Sequence, residues 1–196
     1  MAATLPKLAT PLAPLLPRLD LSPEAAQAVA GVPTAAEALL RLEAGGYCIE
    51  AVRLTAHALP KREAVWWACM CAAAVPDPAL APADVSARSS AEAWVRQPGD
   101  DALRRKAWDA AQATGFKTPE AWAAVGAFWS GGSIAPAGQP AVPPAEDLTG
   151  RAVGGAVMLA SVRGRPERAE ARLLRFLGAA RDIAAGGAGR LPVEAD

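Results

Sequence analysis

Alanine dominates the chain: it supplies 50 of the 196 residues and is spread from one end to the other. It is the strongest helix former, because its side chain loses no conformational entropy when a helix forms. Residues that favour strands are scarce, since valine, isoleucine and threonine together number 23 and phenylalanine plus tyrosine only four. The composition therefore predicts an all-α protein, and the length allows one domain with a core of its own.

Charge and cysteine content exclude several classes of protein. Twenty basic residues balance twenty acidic ones, so we expect no general attraction to nucleic acid or to an anionic membrane. The three cysteines, Cys48, Cys69 and Cys71, are expected to be buried thiols of a reducing cytosol rather than parts of a disulfide framework. Cys69 and Cys71 point apart on a helix and cannot chelate one metal ion. We therefore expect no metal and no other cofactor.

The apolar stretches of the chain do not predict a membrane segment. Prolines interrupt the apolar residues of 1–20, which argues against a signal peptide or an anchor helix there. The apolar run 64–75 is shorter than a membrane span and is better explained as a buried helix. The sequence thus predicts a cytoplasmic protein without membrane insertion.

Capping residues, prolines and glycines divide the chain into helices. Ser22, Thr34, Thr118 and Thr149 each precede a helical pattern and are expected to act as N-caps. Together with glycine and proline stops, these signals predict a bundle of about eight or nine mostly antiparallel helices with short connections. We expect the six tryptophans to supply most of the large side-chain volume, which would give a tryptophan-rich core.

The predicted helices form one all-α domain over residues 21–185. Residues 1–20 contain four prolines and are expected to form a flexible, extended arm with no periodic face to bury. Residues 133–148 are also rich in proline and predict a long internal loop. The glycines of residues 186–196 predict a flexible tail.

The segment 57–67 combines charged residues with two tryptophans. If Pro60 occupies the first helical position, Lys61 and Arg62 lie in the first turn, where exposed cations oppose the helix dipole at a cost of about 0.3–1 kcal/mol each. Breaking a local rule in this way indicates either a compensating partner elsewhere in the fold or a function. The helix that follows is apolar on all sides, which predicts a position at the centre of the bundle.

Two interpretations of this segment remain open. In the first, Lys61, Arg62 and Glu63 form an internal ion network that caps the central helix, and His57 is a core histidine. In the second, these four side chains surround a tryptophan-lined pocket for a small ligand or substrate. The first is favoured, because perturbed ionic clusters are often structural.

A second unusual pattern lies at the end of a helix that carries Trp129. Gly131 and Gly132 predict a left-handed cap from which the loop doubles back. Their backbone amides could bind an anion or a peptide carboxylate, but the C-terminus of a helix presents the wrong end of the dipole for that. A structural turn, or the rim of a peptide-docking surface, is therefore favoured.

Two further patterns lie in the last two helices. Gly150 and Gly154 predict close packing of a neighbouring helix, which would offset the roughly 1 kcal/mol that each glycine costs within a helix. Arg168, Arg172 and Arg175 line one face of the last helix as a secondary basic patch. This patch is either a solvated face or a site for an acidic partner, and a solvated face is favoured because such rows are common on surface helices.

Three stretches of the chain resemble the signature blocks of an uncharacterised bacterial family. They are AVRLTAHALPKREAVWWACMC (51–71), AFWSGGSIAPAGQPAVPP (127–144) and RAVGGAVMLASV (151–162). Members of this family are all-helical proteins of about this length and are classed as a domain of unknown function. The resemblance implies a gene neighbourhood of type VI secretion, and hence an accessory role in spike or effector handling. It implies no catalytic residues, but it supports considering 57–67 and 128–132 as one feature.

The functional hypotheses follow from what the sequence lacks. It contains no nucleophile elbow, metalloprotease motif, P-loop or dinucleotide-binding motif, so an enzyme is the weaker class. The leading hypothesis is a non-enzymatic protein-binding accessory or adaptor protein. The alternative is a small-ligand-binding protein or enzyme that uses the cluster of 57–63, while net neutrality counts against nucleic acid as a partner of the basic patch. The candidate binding residues are His57, Lys61, Arg62, Glu63, Trp66, Trp67, Trp129, Gly131 and Gly132.

Overall fold

Helices account for most of residues 5–195, the part of the chain that the computed structural model describes. The predicted all-α fold class is confirmed, and the described residues form a single domain with nine α-helices. Within them, no helix is both long enough and apolar enough to cross a membrane. The helices are α1 (Pro23–Ala28), α2 (Ala35–Ala44), α3 (Cys48–Ala58), α4 (Lys61–Ala74), α5 (Pro82–Arg96), α6 (Asp101–Gln112), α7 (Pro119–Phe128), α8 (Leu148–Val162) and α9 (Ala169–Ala184).

Side-chain caps begin several helices where the sequence predicts them. Ser22 caps α1, Thr34 caps α2 and Thr118 caps α7, each by accepting a backbone N–H three residues ahead. The prediction for Thr149 is wrong. Helix α8 begins one residue earlier, so Thr149 lies inside it, and its buried hydroxyl has no hydrogen-bond partner among the described residues.

Residues 5–20 do not form the extended segment without a buried face that the prolines suggest. Two 3₁₀ turns, Pro6–Leu8 and Leu16–Arg18, carry prolines in their first turn, where no backbone donor is needed. The backbone also bonds to the start of α2, since Leu12 N–H donates to Pro33 O at 3.0 Å. Five leucines at spacings of three and four residues enter the core as a result: Leu5, Leu8, Leu12, Leu15 and Leu19.

Helix α4 is covered by α5, α7, α8 and α9. Its buried residues are mostly small, which lets these helices approach closely. Trp67 is the largest of the fully buried side chains, and its indole Nε1 donates to Phe176 O at 2.8 Å. Trp94 is also buried, whereas the other four tryptophans pack against the core with part of their surface exposed. Alanine thus sets how closely the helices approach, and leucine and tryptophan fill the larger spaces.

Close packing of α3 on α8 depends on the glycines that the sequence singles out. A Cβ atom on Gly150 would overlap the imidazole ring of His57, and one on Gly154 would lie 3.7 Å from Ala56 Cβ. The absence of a side chain at Gly150 therefore makes room for the His57 ring. Gly155, on the same helix, has open space where a Cβ would be.

Alanine substitutions at two glycines of α8 are expected to have opposite effects. Gly155→Ala should raise the free energy of unfolding by up to about 1 kcal/mol, because alanine is the better helix former. Gly150→Ala gains the same propensity but displaces the His57 ring, and overpacking of this kind costs about 1–3 kcal/mol. Its net effect is therefore a loss, which urea denaturation would measure.

A double-mutant cycle tests whether the His57 ring is the cause. Combining Gly150→Ala with His57→Ala removes the overlap, so the double variant should be more stable than the sum of the two single effects predicts. If Gly150→Ala stabilises the protein as much as Gly155→Ala does, the contact between the two helices is not as described.

Candidate functional site

The N-terminus of α4 lies beside the C-terminal ends of α5 and α7. Lys61 Nζ donates to the carbonyl of Ser130, just beyond α7, at 3.0 Å. Arg62 Nε donates to the carbonyl of Val95, in the last turn of α5, at 2.8 Å. The last carbonyls of a helix lack partners within it and carry the negative end of its dipole. Two cations that oppose the dipole of their own helix thus stabilise the ends of two neighbours.

Arg104 of α6 brings a third cation to the same place. It is 3% exposed, its Nη1 donates to Phe128 O at 2.6 Å, and its Nη2 donates to Ser133 O at 2.9 Å. Its guanidinium also lies 4.8 Å from the centroid of the Phe128 ring and pairs with Asp101. This arginine therefore holds the end of α7 and the start of the following loop against α6.

These three cations line an open cleft of about 430 Å³, which we call the α4 cleft. Its two carboxylates are already engaged: Asp100 caps α6, and Asp101 pairs with arginines of the same helix. Hydrogen bonds from these arginines lower the pKa of Asp101, which keeps it ionised. The rest of the lining comes from Trp94, residues 98–99 and residues 130–132.

The turn at Gly131 and Gly132 forms one wall of the α4 cleft. Gly132 has a φ of +62°, so the predicted left-handed conformation is present. A Cβ atom there would lie 2.8 Å from Nη2 of Arg104. Glycine at this position therefore serves two purposes, since it allows the turn and makes room for the guanidinium group.

Glu63 and Trp66 line a second, smaller depression, which shares Arg62 with the α4 cleft. Lys7 Nζ lies 3.0 Å from Glu63 Oε1, and Arg62 Nη1 lies 3.4 Å from the same oxygen. Burial opposes ionisation, but the hydrogen bond and charge of Lys7 and the charge of Arg62 hold the pKa of Glu63 below its ordinary value. Trp66 Nε1 donates to Ala188 O at 2.8 Å. These contacts tie both ends of the chain to the start of α4.

His57 lies away from this cluster, against Gly150 of α8. Burial is the main cause that lowers its pKa; the charges of Arg18 and Arg151 add to the effect, and Asp147 opposes it. The neutral ring is therefore the favoured form near neutral pH. The four side chains of 57–63 do not converge on one pocket, because His57 is separated from the three charged residues that follow it.

Trp67 and Trp129 also lie outside the α4 cleft. Trp67 is in the core. Trp129 is partly exposed and packs against Trp122, with 6.2 Å between the two ring centroids. Of the candidate binding residues, the structure thus brings together Lys61, Arg62, Gly131 and Gly132. The pairing of 57–67 with 128–132 that the resemblance suggests is present as the bond from Lys61 to Ser130 O.

Sequence reasoning missed Arg104 and Trp94, which complete the α4 cleft. The signal for Arg104 was available, because it lies near the start of α6 just as Lys61 and Arg62 lie at the start of α4. Trp94 is 3% exposed, and its indole Nε1 has no hydrogen-bond partner among the described residues. Nothing in the local sequence distinguishes Trp94 from the other tryptophans.

The secondary basic patch is not a solvated face. Arg172 is 4% exposed, and both its guanidinium group and that of Arg168 bind the carboxylate of Glu194, each at 2.6 Å. Arg175 Nη2 donates to Pro192 O at 2.8 Å. Residues 186–195, which we call the C-terminal segment, therefore reach this patch through Pro192 and Glu194. The acidic partner that the arginine row lacks on its own helix comes from the end of the chain.

The ion pairs of Glu194 with Arg168 and Arg172 predict that the stability of the protein falls at acidic pH. Hydrogen bonds from Arg172 and Arg168 lower the pKa of Glu194 to about 2. Because the ionised form is favoured in the folded state, its contribution is complete above about pH 4.5, the ordinary glutamate value, and is lost as the pH falls towards 2. The stability advantage of the wild type over Glu194→Gln should therefore shrink through this range. Denaturant unfolding at several pH values measures it, with exposed Glu167→Gln as the control that should change little.

The cysteine thiols are not presented at the surface of the described residues. All three cysteines are free and buried, and burial raises the pKa of the Cys69 and Cys71 thiols well above the ordinary value. No group of three or more histidine, cysteine, aspartate or glutamate side chains within residues 5–195 is placed to hold a metal ion. The α4 cleft presents the charged N–H donors of Lys61, Arg62 and Arg104. Its two carboxylates, Asp100 and Asp101, already have partners.

Comparison with known proteins gives a family but no function. Residues 38–184 match the model of a family of unknown function, DUF6931. No curated protein and no solved structure matches the chain. The matched range contains every residue that this structure places at the α4 cleft, and it ends before the C-terminal segment.

Proposed function

We propose a function for this member of DUF6931, the family of unknown function to which the chain belongs: a non-enzymatic protein-binding protein whose α4 cleft takes a carboxylate of a partner's peptide. One observation carries the proposal. Lys61, Arg62 and Arg104 converge on an open cleft in which both carboxylates already have partners. An incoming carboxylate would meet an excess of positive charge and no competing free acid.

Donors are still available on the cations of the cleft. An ammonium group has three N–H donors and a guanidinium group five. Lys61 uses one with Ser130 O, while Arg62 uses its Nε with Val95 O and its Nη1 with Glu63. Because these backbone contacts already hold both side chains in place, little conformational entropy is lost on binding. The volume of the cleft falls within the range of about 300–1,000 Å³ typical of ligand sites.

Binding is a better account of this geometry than catalysis. The enzyme alternative requires His57 beside Lys61, Arg62 and Glu63, but His57 lies against α8 instead. The guanidinium groups that face the α4 cleft are hydrogen-bond donors without an acceptor atom, and Asp101 is held in ion pairs. A peptide carboxylate, in contrast, needs only donors and positive charge.

The biological setting of the proposal is a role in type VI secretion, as an accessory protein for spike or effector handling. Its support is the resemblance of the three sequence stretches and not the geometry of the cleft. Affinity purification of the tagged protein from its native host, followed by mass spectrometry, tests this setting. Recovery of stable partners that include no secretion component would contradict it, while leaving the peptide-binding proposal to be judged separately.

A peptide selection tests the α4 cleft directly. A random peptide library displayed on phage is selected on the full chain, and the enriched peptides are synthesised and measured by isothermal titration calorimetry. Acidic peptides should be enriched, and Lys61→Gln should weaken their binding about tenfold, because it removes the charge but keeps a donor for Ser130 O. Lys106→Gln, at an exposed position of α6, is the matched control.

The outcomes of this experiment separate clearly. Unchanged binding in Lys106→Gln together with loss in Lys61→Gln supports the proposal. Selection of no acidic peptide, or equal weakening by both substitutions, contradicts it. Thermal unfolding of each variant shows whether a loss of binding reflects a loss of fold.

A further inference from the structure

The end of the C-terminal segment, which forms neither helix nor strand, occupies a basic site. Glu194 N–H donates to Ala74 O at 2.8 Å, and Arg175 donates to Pro192 O, so the site recognises the backbone of the segment as well as its charge. Ala74 is the last residue of α4, whose terminal carbonyls need donors from outside the helix. A backbone amide supplies such a donor, and a phosphodiester backbone has none. The site therefore suits a peptide rather than a nucleic acid.

The arginines of this site are held in place by the rest of the fold. Besides binding Glu194, Arg172 donates through Nη1 to Ser161 O at 2.9 Å and to Arg163 O at 2.7 Å, at the end of α8. Both oxygens of the Glu194 carboxylate are engaged, one by Arg168 and the other by Arg172. A buried, oriented guanidinium group of this kind needs an anion and binds it with a geometry set in advance.

Polar contacts of Pro192 and Glu194 attach the segment to the basic site, and Leu191 adds one partly buried apolar contact with the core. Val193, next to Glu194, is 65% exposed, and most other residues of the segment are exposed as well. Gly186, Gly187 and Gly189 connect residues 190–195 to α9. Beside Glu194 there is a further open space of about 200 Å³, lined in part by Arg165 and Pro78. Segments with few apolar contacts separate from a domain at the lowest free-energy cost.

We propose that Arg168, Arg172 and Arg175 form a docking site for a short acidic peptide of a partner protein, and that residues 190–195 are an internal ligand which this peptide replaces. The partner peptide places a carboxylate where Glu194 lies and a backbone N–H against Ala74 O. Because the segment is tethered, it competes at an effective concentration of about millimolar. Only a partner peptide whose Kd is well below this concentration occupies the site, so the segment sets a minimum affinity for binding.

A peptide with the sequence of the segment is the probe. Fluorescently labelled acetyl-Arg-Leu-Pro-Val-Glu-Ala-amide, corresponding to residues 190–195, is titrated with the full-length wild type and with full-length Glu194→Lys. The substituted lysine is repelled by the arginines and frees the site. Fluorescence anisotropy should show binding to Glu194→Lys that is about tenfold or more tighter than binding to the wild type. The same peptide with glutamine in place of glutamate should bind both proteins weakly.

Two more variants complete the test. Arg168→Gln in the Glu194→Lys background removes one partly exposed arginine and should weaken peptide binding, whereas Arg41→Gln, an exposed arginine of α2, should not. Equal binding of the peptide to wild type and Glu194→Lys, or no binding to folded Glu194→Lys, overturns the proposal. It is also overturned if neither Glu194→Lys nor Glu194→Ser unfolds cooperatively, because a segment essential to the fold is not replaceable.

Discussion

Replacing Arg163 with alanine is expected to lower the free energy of unfolding by about 3–5 kcal/mol, because it leaves a buried carboxylate without its partner. That carboxylate belongs to Glu120, whose side chain is fully buried and pairs with Arg163 Nη2. Its other oxygen has no hydrogen-bond partner among the described residues. Arg163 Nη1 also donates to Val75 O at 2.8 Å, at the end of α4, so the same substitution leaves a second group unpaired.

Urea denaturation at neutral pH measures this effect against two controls. Arg151→Ala removes an exposed arginine of α8 that pairs with Asp147, the residue before this helix, and should cost about 0.5 kcal/mol or less. The double variant Arg163→Met with Glu120→Leu removes both charges and should recover much of the stability lost in the single variant. A loss below about 1 kcal/mol for Arg163→Ala would contradict the buried pair.

Replacing Arg104 with alanine is expected to cost about 2–4 kcal/mol, the second largest effect. The substitution removes the donors to Phe128 O and Ser133 O and the contact with the Phe128 ring. It also releases one partner of Asp101. Because these contacts hold the turn at 131–132, the loss should extend to the α4 cleft and weaken binding of any peptide selected there.

The adjacent residue offers a matched control for Arg104. Arg105 pairs with the same Asp101 and donates to Ala135 O at 3.2 Å, but about a third of its side chain is exposed. Arg105→Ala should therefore cost about 1 kcal/mol or less. Arg104→Lys should fall between the two, since lysine keeps the charge but lacks the planar fork that reaches two carbonyls. Equal losses in Arg104→Ala and Arg105→Ala would show that burial of Arg104 is unimportant.

The sequence predicts part of the candidate site, but it does not predict every residue that lines the α4 cleft. Two features of short segments are visible in the sequence: the cations Lys61 and Arg62 in the first turn of a helix, and the glycine turn at 131–132. Both line the α4 cleft. His57, in the last turn of α3, lies against α8, whereas Lys61 and Arg62, at the start of α4, bond to Ser130 O and Val95 O. Trp94 and Arg104 enter the cleft only through the packing of α5 and α6.

The N-terminal residues show a different limit of sequence reasoning. The leucine spacing of three and four residues from Leu5 to Leu19 is visible in the sequence and is the pattern of a buried helical face. The prolines between these leucines argue against an α-helix, and in that respect the structure agrees, since 3₁₀ turns take its place. A periodic pattern can thus be buried without the secondary structure that usually carries it.

By itself, the sequence determined the helices of this protein, because helix propensity, capping and termination depend on residues within a turn of each other. Alanine content, the caps at Ser22, Thr34 and Thr118, and the glycine turn at 131–132 are all of this kind. The tertiary structure alone decided what the charged groups do. Lys61 finds Ser130 O at a separation of 69 residues, and Arg172 finds Glu194 at 22. Ion pairs and carbonyl caps act over a few ångströms in space, so only the packing of the helices selects which partner each arginine and lysine meets.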